Sequence, residues 1–274
     1  MAGTNSLERA LVLLKVIEQT PGGLRHADIS RQLNIPKSSC SYIVNRLERE
    51  GYLLKDAASN RYKIGLTPVA LAHGALREVG IRTVAEPALY KLTNQTGLSA
   101  GIGVLQSGRV LLVDRVEGPQ FVDQAIHAAA GRTTRAFRIR AQRDVGRELP
   151  AHSTALGKVL LAFSSRQQVL DVIAKLGLAR STPATIVSKK RFLAELDMVR
   201  KKRYAVADGE AYSDLRALSA PIFDAYGDAG GEVRAAVSVN GDPSEPVWDD
   251  LPALVKTVEE AARDISRRAR ILLP

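Results

Sequence analysis

The clearest periodicity in the chain follows Pro36, where apolar residues fall at Cys40, Ile43, Val44 and Leu47. This i, i+3, i+4, i+7 spacing turns one stripe of a helix into a core. The opposite face is polar: Lys37, Ser38, Ser39 and Ser41 in its first half, then Tyr42, Asn45, Arg46 and Arg49. Pro36 suits the first helical position, where its missing N–H has no cost, and Asn34 tolerates the left-handed backbone of a sharp turn out of a preceding helix. Upstream, Ser6 is placed to cap a helix whose apolar face is Leu7, Ala10, Leu11, Leu14 and Ile17. Downstream, Tyr52 to Lys55 and Arg61 to Ile64 read as short strands joined by the turn DAASN, with Arg61 and Lys63 near its tip.

Three helices followed by a basic hairpin make a winged helix-turn-helix, assigned to residues 1–66. A polar outer face alone is the norm for a solvated helix. The short turn before it and the hairpin after it shift the reading toward DNA. Cations on such a face suit phosphate oxygens, and hydroxyls and an amide suit base edges. The candidate DNA-contacting residues are Lys37, Ser38, Ser39, Ser41, Tyr42, Asn45 and Arg46 on the helix, with Arg61 and Lys63 on the wing.

Thr67 and Pro68 then open a further apolar helix running to about Gly80. From residue 81 to 274 the pattern is mixed. Helices are expected near 81–94, 154–163, 166–176, 189–202 and 249–269, and strands near 98–105, 109–116, 137–142, 204–207, 217–223 and 233–240. Hairpins interleaved with helices imply an α+β domain with an antiparallel sheet. A chain of 274 residues has room for this second core.

The formal charge is +10, but residues 1–66 carry only +4 of it, so the excess does not mark the DNA-reading segment. Arg132 to Arg147, Lys189 to Arg203 and Arg263 to Arg270 hold much of the rest, and the latter two clusters lie on amphipathic helical patterns whose charged side is a solvated face. The single cysteine, Cys40, allows no internal disulfide and sits on the apolar stripe. Four scattered histidines give no metal-ligand spacing, and nothing calls for a cofactor. No apolar run reaches the roughly 20 residues of a membrane span, and no signal pattern opens the chain, so a cytoplasmic protein is expected. An enzyme built on His152, Ser153 and Asp208 lacks both a nucleophile elbow and an oxyanion-loop motif. Gly97, Gly101 and Gly103 precede a strand and make no dinucleotide fingerprint.

Several segments occur in the order found in one family. SLERAL at 6–11, the 29–52 block, RYKIG at 61–65, VDRVEGP at 113–119, LPAHSTALGKVLLAF at 149–163 and AAVSVNG at 235–241 together resemble the IclR-type transcriptional regulators. The resemblance runs from about residue 5 to 270. It implies an N-terminal winged helix, a linker helix at 67–80 used in dimerisation, and an effector-binding domain at 81–274 related to GAF and PAS-like sensors. It also implies homodimers, or dimers of dimers, on an operator with two related half-sites, with repression slightly favoured over activation. The effector is expected to be a small organic or aromatic metabolite.

The same resemblance carries effector contacts to Ala155, Leu156, Asp208, Ala217, Ser238 and Asn240, with Ser153, Thr154 and Ser219 beside them. Ser153 or Thr154 is equally suited to capping the next helix. Two departures stand out. Ser153 and Ala217 lie nearest to where many relatives have cysteine. Between the segments 117–119 and 145–150 roughly a dozen or more residues are inserted, and the insert with its following strand carries Arg132, Arg135, Arg138, Arg140, Arg143 and Arg147, which suit surface solvation, an anionic effector, an interface or a DNA contact.

Overall fold

The computed structural model describes residues 5–78, 80–119, 145–224 and 232–272. They form two compact units, one ending at Glu78 and the other following it.

The first unit runs α1 (Ser6–Glu18), β1 (Leu24–Arg25), α2 (His26–Gln32), α3 (Lys37–Arg49), β2 (Leu53–Lys55), β3 (Arg61–Ile64) and α4 (Thr67–Glu78). Its three strands pair antiparallel in the order β1-β3-β2, the winged helix expected from the pattern. Cys40, Ile43 and Val44 of α3 are buried beside Leu13, Ile17 and Ile29, and Leu47 packs against them half-buried. Asn34 takes the left-handed conformation at the turn, with φ of 50°.

Three local expectations are corrected. Asn5 caps α1 in place of Ser6, its Oδ1 accepting from Glu8 N at 2.9 Å. Pro36 is the cap residue of α3 with an extended ψ of 144°, so the helix starts one residue later. The inward stripe of α1 holds Leu13 and Ile17, with Ala10 and Leu14 beside them, whereas Leu7 and Leu11 are exposed. Leucine, valine and isoleucine occupy nearly every turn of α1, so two stripes satisfy the same period and only packing chooses between them. The short β1 was not visible in the pattern, because two residues carry no alternation. Thr67 lies within α4, and its Oγ1 donates to Glu50 O at 2.8 Å.

The second unit runs α5 (Ile81–Thr96), β4 (Ser99–Gln106), β5 (Arg109–Val116), β6 (Glu148–Pro150), α6 (Ala155–Ala162), α7 (Arg166–Leu176), α8 (Lys189–Lys202), β7 (Ala205–Asp208), β8 (Arg216–Phe223), β9 (Val233–Gly241), a 3-10 turn (Pro246–Trp248) and α9 (Leu251–Leu272). The six strands form one antiparallel sheet in the order β6-β5-β4-β9-β8-β7. The strand expected at 137–142 lies outside the described residues, as do Arg132, Arg135, Arg138, Arg140 and Arg143.

Helix α5 packs on β4 and β5 and helix α9 on β8 and β9, while α6, with α8 against it, packs on the same sheet mainly through β4, β7, β8 and β9. Helix α6 is buried along its whole length, which explains its unbroken apolar run. Gly157 lets it approach the preceding loop: a Cβ there would stand 2.2 Å from Ala151 O, and no side chain fits. Thr154 caps α6, accepting from Gly157 N at 3.3 Å and donating to Pro150 O at 2.7 Å. No described helix is long and apolar enough to cross a membrane.

Candidate functional site

On α3 the candidate DNA-reading residues divide by environment. Lys37, Ser38, Tyr42, Asn45 and Arg46 are exposed, with Tyr42 at 71%. Ser39 is half-buried. Ser41 is tied to the neighbouring helix, its Oγ 2.9 Å from His26 Nε2. Arg46 pairs with Glu50 one turn along, at 3.2 Å.

The two wing residues also differ. Arg61 Nη1 donates to Gly23 O at 2.8 Å, so its guanidinium fastens β3 to the loop before β1. Lys63 remains largely exposed and reaches Asp56 at 3.2 Å. Asp56 organises the turn, accepting from Ser59 N at 2.8 Å and Ser59 Oγ at 2.7 Å. These hydrogen bonds, with Lys63 beside them, hold its carboxyl down at about 2.

In the second unit, register places small residues in rows on one side of the sheet. Arg115, Gly101, Ser238 and Ser219 are successive partners across β5, β4, β9 and β8. Ser99, Asn240, Ala217 and Ala207 make the next row. Directly paired residues share a face. Glycine, alanine and serine leave the sheet surface hollow under the start of α6. A Cβ at Gly103 would come within 3.3 Å of Leu156 Cδ1.

A cavity of about 60 Å³ fills part of that hollow. Seven of the residues expected at an effector site line it: Ser153, Thr154, Ala155 and Leu156 from the α6 start, and Ala217, Ser238 and Asn240 from β8 and β9. Two do not. Ser219 lies on the same face, but its Oγ donates to Val237 O at 2.8 Å and it is fully covered. Asp208 follows Ala207 by one residue, and strand alternation turns it away from the lining. Its carboxylate lies 3.5 Å from Arg216 Nε instead.

Sequence reasoning missed other walls. Arg115 and Leu112 come from β5, Leu149 from β6, and Ala211, Tyr212 and Leu215 from the 209–215 loop. A loop without periodicity gave no signal for the last three. Arg115 lies in the VDRVEGP segment at 113–119, and its alternation with Asp114 and Val116 is the available clue.

The polar groups of the cavity are mostly buried. Ser153 is fully buried, and its Oγ has no hydrogen-bond partner among the described residues. Asn240 Oδ1 accepts from Arg115 Nη1 at 3.3 Å and Nη2 at 3.4 Å. The loop that closes one side is held by Lys158, which is buried on α6 and donates to Glu210, to Glu195 Oε1 at 3.1 Å and to Val206 O at 3.2 Å. Thr182 Oγ1 fixes Gly209 O at 2.6 Å, and Thr185 Oγ1 fixes Glu210 O at 2.7 Å. Burial pushes the Glu210 carboxyl up, opposed by Lys158.

His152 and Ser153 do not form a nucleophile and base. His152 Nε2 is hydrogen-bonded to Ala179 O at 2.9 Å, while Ser153 faces the cavity without a base on its hydroxyl.

A winged helix-turn-helix followed by an α+β unit whose apolar cavity carries a few polar groups defines a DNA-binding transcription regulator. Comparison with known families agrees. Residues 6–57 match the IclR helix-turn-helix domain and residues 131–267 match the bacterial transcriptional regulator IclR C-terminal domain. This chain belongs to the IclR family.

Among its relatives, the HTH-type transcriptional repressor AllR of Klebsiella pneumoniae is 26% identical over 264 residues, covering 96% of this chain and 89% of that protein. The IclR structure from Thermotoga maritima superposes with a TM-score of 0.68 at 25% identity, covering 97% of this chain and 99% of that one. An IclR homologue from Microbacterium hydrocarbonoxydans, complexed with 4-hydroxybenzoate, shares the fold with a TM-score of 0.75 at 21% identity, over 97% of this chain and 100% of the other. Its relatives are regulators of a non-enzymatic class.

Proposed function

We propose that this DNA-binding regulator is a repressor whose operator binding responds to a small metabolite held in the cavity beneath α6. One observation carries the reading: the fully buried Ser153 Oγ has no hydrogen-bond partner among the described residues and faces a cavity whose other polar walls are Arg115, Thr154, Tyr212, Ser238 and Asn240. A buried hydroxyl without a partner costs about 1–3 kcal/mol, and a ligand acceptor or donor relieves that cost. Apolar walls with a few convergent polar groups are the usual make-up of small-ligand sites. The structurally similar homologue complexed with 4-hydroxybenzoate supports an effector role, and the repressor named among the relatives supports the direction.

The functional unit in this reading is a homodimer, or a pair of them, working in the cytoplasm on an operator with two related half-sites. Leu66, just before α4, and Val69 and Leu71 in its first turns expose apolar side chains, and Leu7 and Leu11 do so on α1. A second copy is the natural cover for such surfaces in a symmetric DNA reader. Effector binding shifts the balance between arrangements that do and do not present two recognition helices to successive major grooves. It does so only to the extent that its affinity differs between them.

The test is a thermal-shift and operator-release screen of small metabolites on the full chain, with Ala217→Phe as the filled-cavity control. A compound that raises the melting temperature and releases operator from wild type, and does neither in folded A217F, supports the reading. Response undiminished in A217F rejects it.

A further inference from the structure

Arg115 is the cation in the cavity wall, and its surroundings point to a selective role. Its side chain is only 7% exposed. Glu117 holds the guanidinium in a two-point grip, Nε donating to Oε1 and Nη2 to Oε2 at 2.9 Å. Glu117 is fixed in turn by Ser99 Oγ, which donates to Oε2 at 2.9 Å while accepting from Gly118 N at 3.0 Å. This grip leaves the remaining edge of the guanidinium toward Asn240, where Nη1 and Nη2 share a single oxygen at 3.3 and 3.4 Å. Guanidinium carries five N–H donors in a rigid fork suited to two oxygens. Two long bonds to one amide oxygen therefore underuse that edge.

We infer that Arg115 is the residue that selects a carboxylate in the effector cavity, exchanging its contact with Asn240 for the ligand oxygens while Glu117 keeps it aimed. The inference rests on the cavity being the effector site. Among the described lining residues there is one cation and no carboxylate, and Asp208 is directed to Arg216 away from the lining. Ser153 Oγ supplies a hydroxyl for a second ligand oxygen. The room of about 60 Å³ corresponds to roughly four to six water-sized sites, enough for an acid of a few heavy atoms without displacement of the walls. Glu117 makes the buried guanidinium tolerable before ligand arrives, because a buried charge needs a partner.

Calorimetric titration of the full chain with two acid and amide pairs tests this: pyruvate against pyruvamide, and 4-hydroxybenzoate against 4-hydroxybenzamide. Wild type is expected to prefer the acid in at least one pair. In Arg115→Gln that acid loses about 10- to 150-fold in affinity, the range for a lost hydrogen bond to a charged group, while the amide changes little, so the preference collapses. A merely structural arginine would lower the melting temperature and leave the acid-to-amide ratio alone. Should R115Q not fold, Arg115→Lys decides, since it keeps charge but not the fork: weaker acid binding with unchanged amide binding supports the assignment, and unchanged acid binding overturns it.

No acid preference in wild type, or binding of neither pair, also overturns it. The A217F control separates the two levels. If A217F abolishes probe binding but R115Q keeps the acid preference, the cavity reading stands and Arg115 falls. If A217F leaves probe binding intact, the cavity reading itself fails.

Discussion

Lys158, buried on α6, donates through Nζ to Glu210 at the start of the loop that walls the cavity, 52 residues further along the chain. The pair fastens the loop carrying Ala211, Tyr212 and Leu215 to the helix whose first turn carries Ala155 and Leu156. A lysine inside an apolar helix reads as an exposed residue by period alone, so its partner had to be seen.

Removing Lys158 should be severe. Lys158→Met leaves Glu210 buried without its cation, and breaking a buried pair in this way costs about 3–5 kcal/mol. The sign of the pH dependence follows from Glu210. Burial raises its folded carboxyl above the ordinary 4.5. Its contribution to stability is then fully present below that ordinary value and is lost as pH rises through the raised folded value. Without Lys158 that loss deepens, so urea denaturation of K158M should show a deficit that narrows toward pH 4 and widens toward pH 7. A deficit independent of pH would mean that lost packing of the lysine stem is the whole effect.

The two arginines of the DNA-reading unit should behave differently. Arg46→Ala should weaken operator binding by about 1–3 kcal/mol if the side chain reads a base, and by less, with a shallower salt dependence, if it holds a phosphate. Arg61→Ala should lower the melting temperature instead, because its guanidinium bonds Gly23 O. Filter-binding titrations over a salt series, with melts of each variant, separate the outcomes. Unchanged operator affinity across Lys37, Tyr42, Asn45 and Arg46 alanine variants would refute the orientation of α3.

Dimerisation is testable at α4. Val69 and Leu71 are exposed at 63% and 57%. Placing a charge in an interface made of such side chains is strongly unfavourable, because a buried charge without a partner is costly. Val69→Asp with Leu71→Asp should shift sedimentation at micromolar concentration toward the monomer and reduce a two-half-site footprint to weak single-site binding. A wild-type chain that already sediments as a monomer would remove the premise.

Local periodicity reached most of the elements but not every contact. Helix α3 was legible because only one stripe is apolar. In α1 two stripes were apolar, and Leu13 rather than Leu11 went inside. In the cavity, the resemblance identified the segments, and strand alternation then decided between neighbours: Ala207 faces the lining and Asp208 does not. Arg115 was missed because alternation puts it on one face with Glu117 but does not say that this face is covered, nor that Asn240, 125 residues away, meets it there.

That alternation makes the last prediction a contrast between two polar residues. Asn240 lines the cavity and is 8% exposed, while the Asp208 carboxylate is 58% exposed and paired with Arg216. If the cavity binds the effector, Asn240→Ala should change effector affinity, and Asp208→Ala should leave it within about twofold, since an exposed pair contributes at most about 1 kcal/mol even to folding. For N240A the direction carries information. Loss of an amide that touches the ligand weakens binding by roughly five- to 150-fold, the equivalent of about 1–3 kcal/mol. An amide that only occupies Arg115 would, when removed, free the guanidinium and tighten binding of an acid. Calorimetric titration of both folded variants with whichever metabolite releases operator reads the two effects directly. A large loss in D208A with none in N240A would mean that the ligand sits on the other side of the β7 strand.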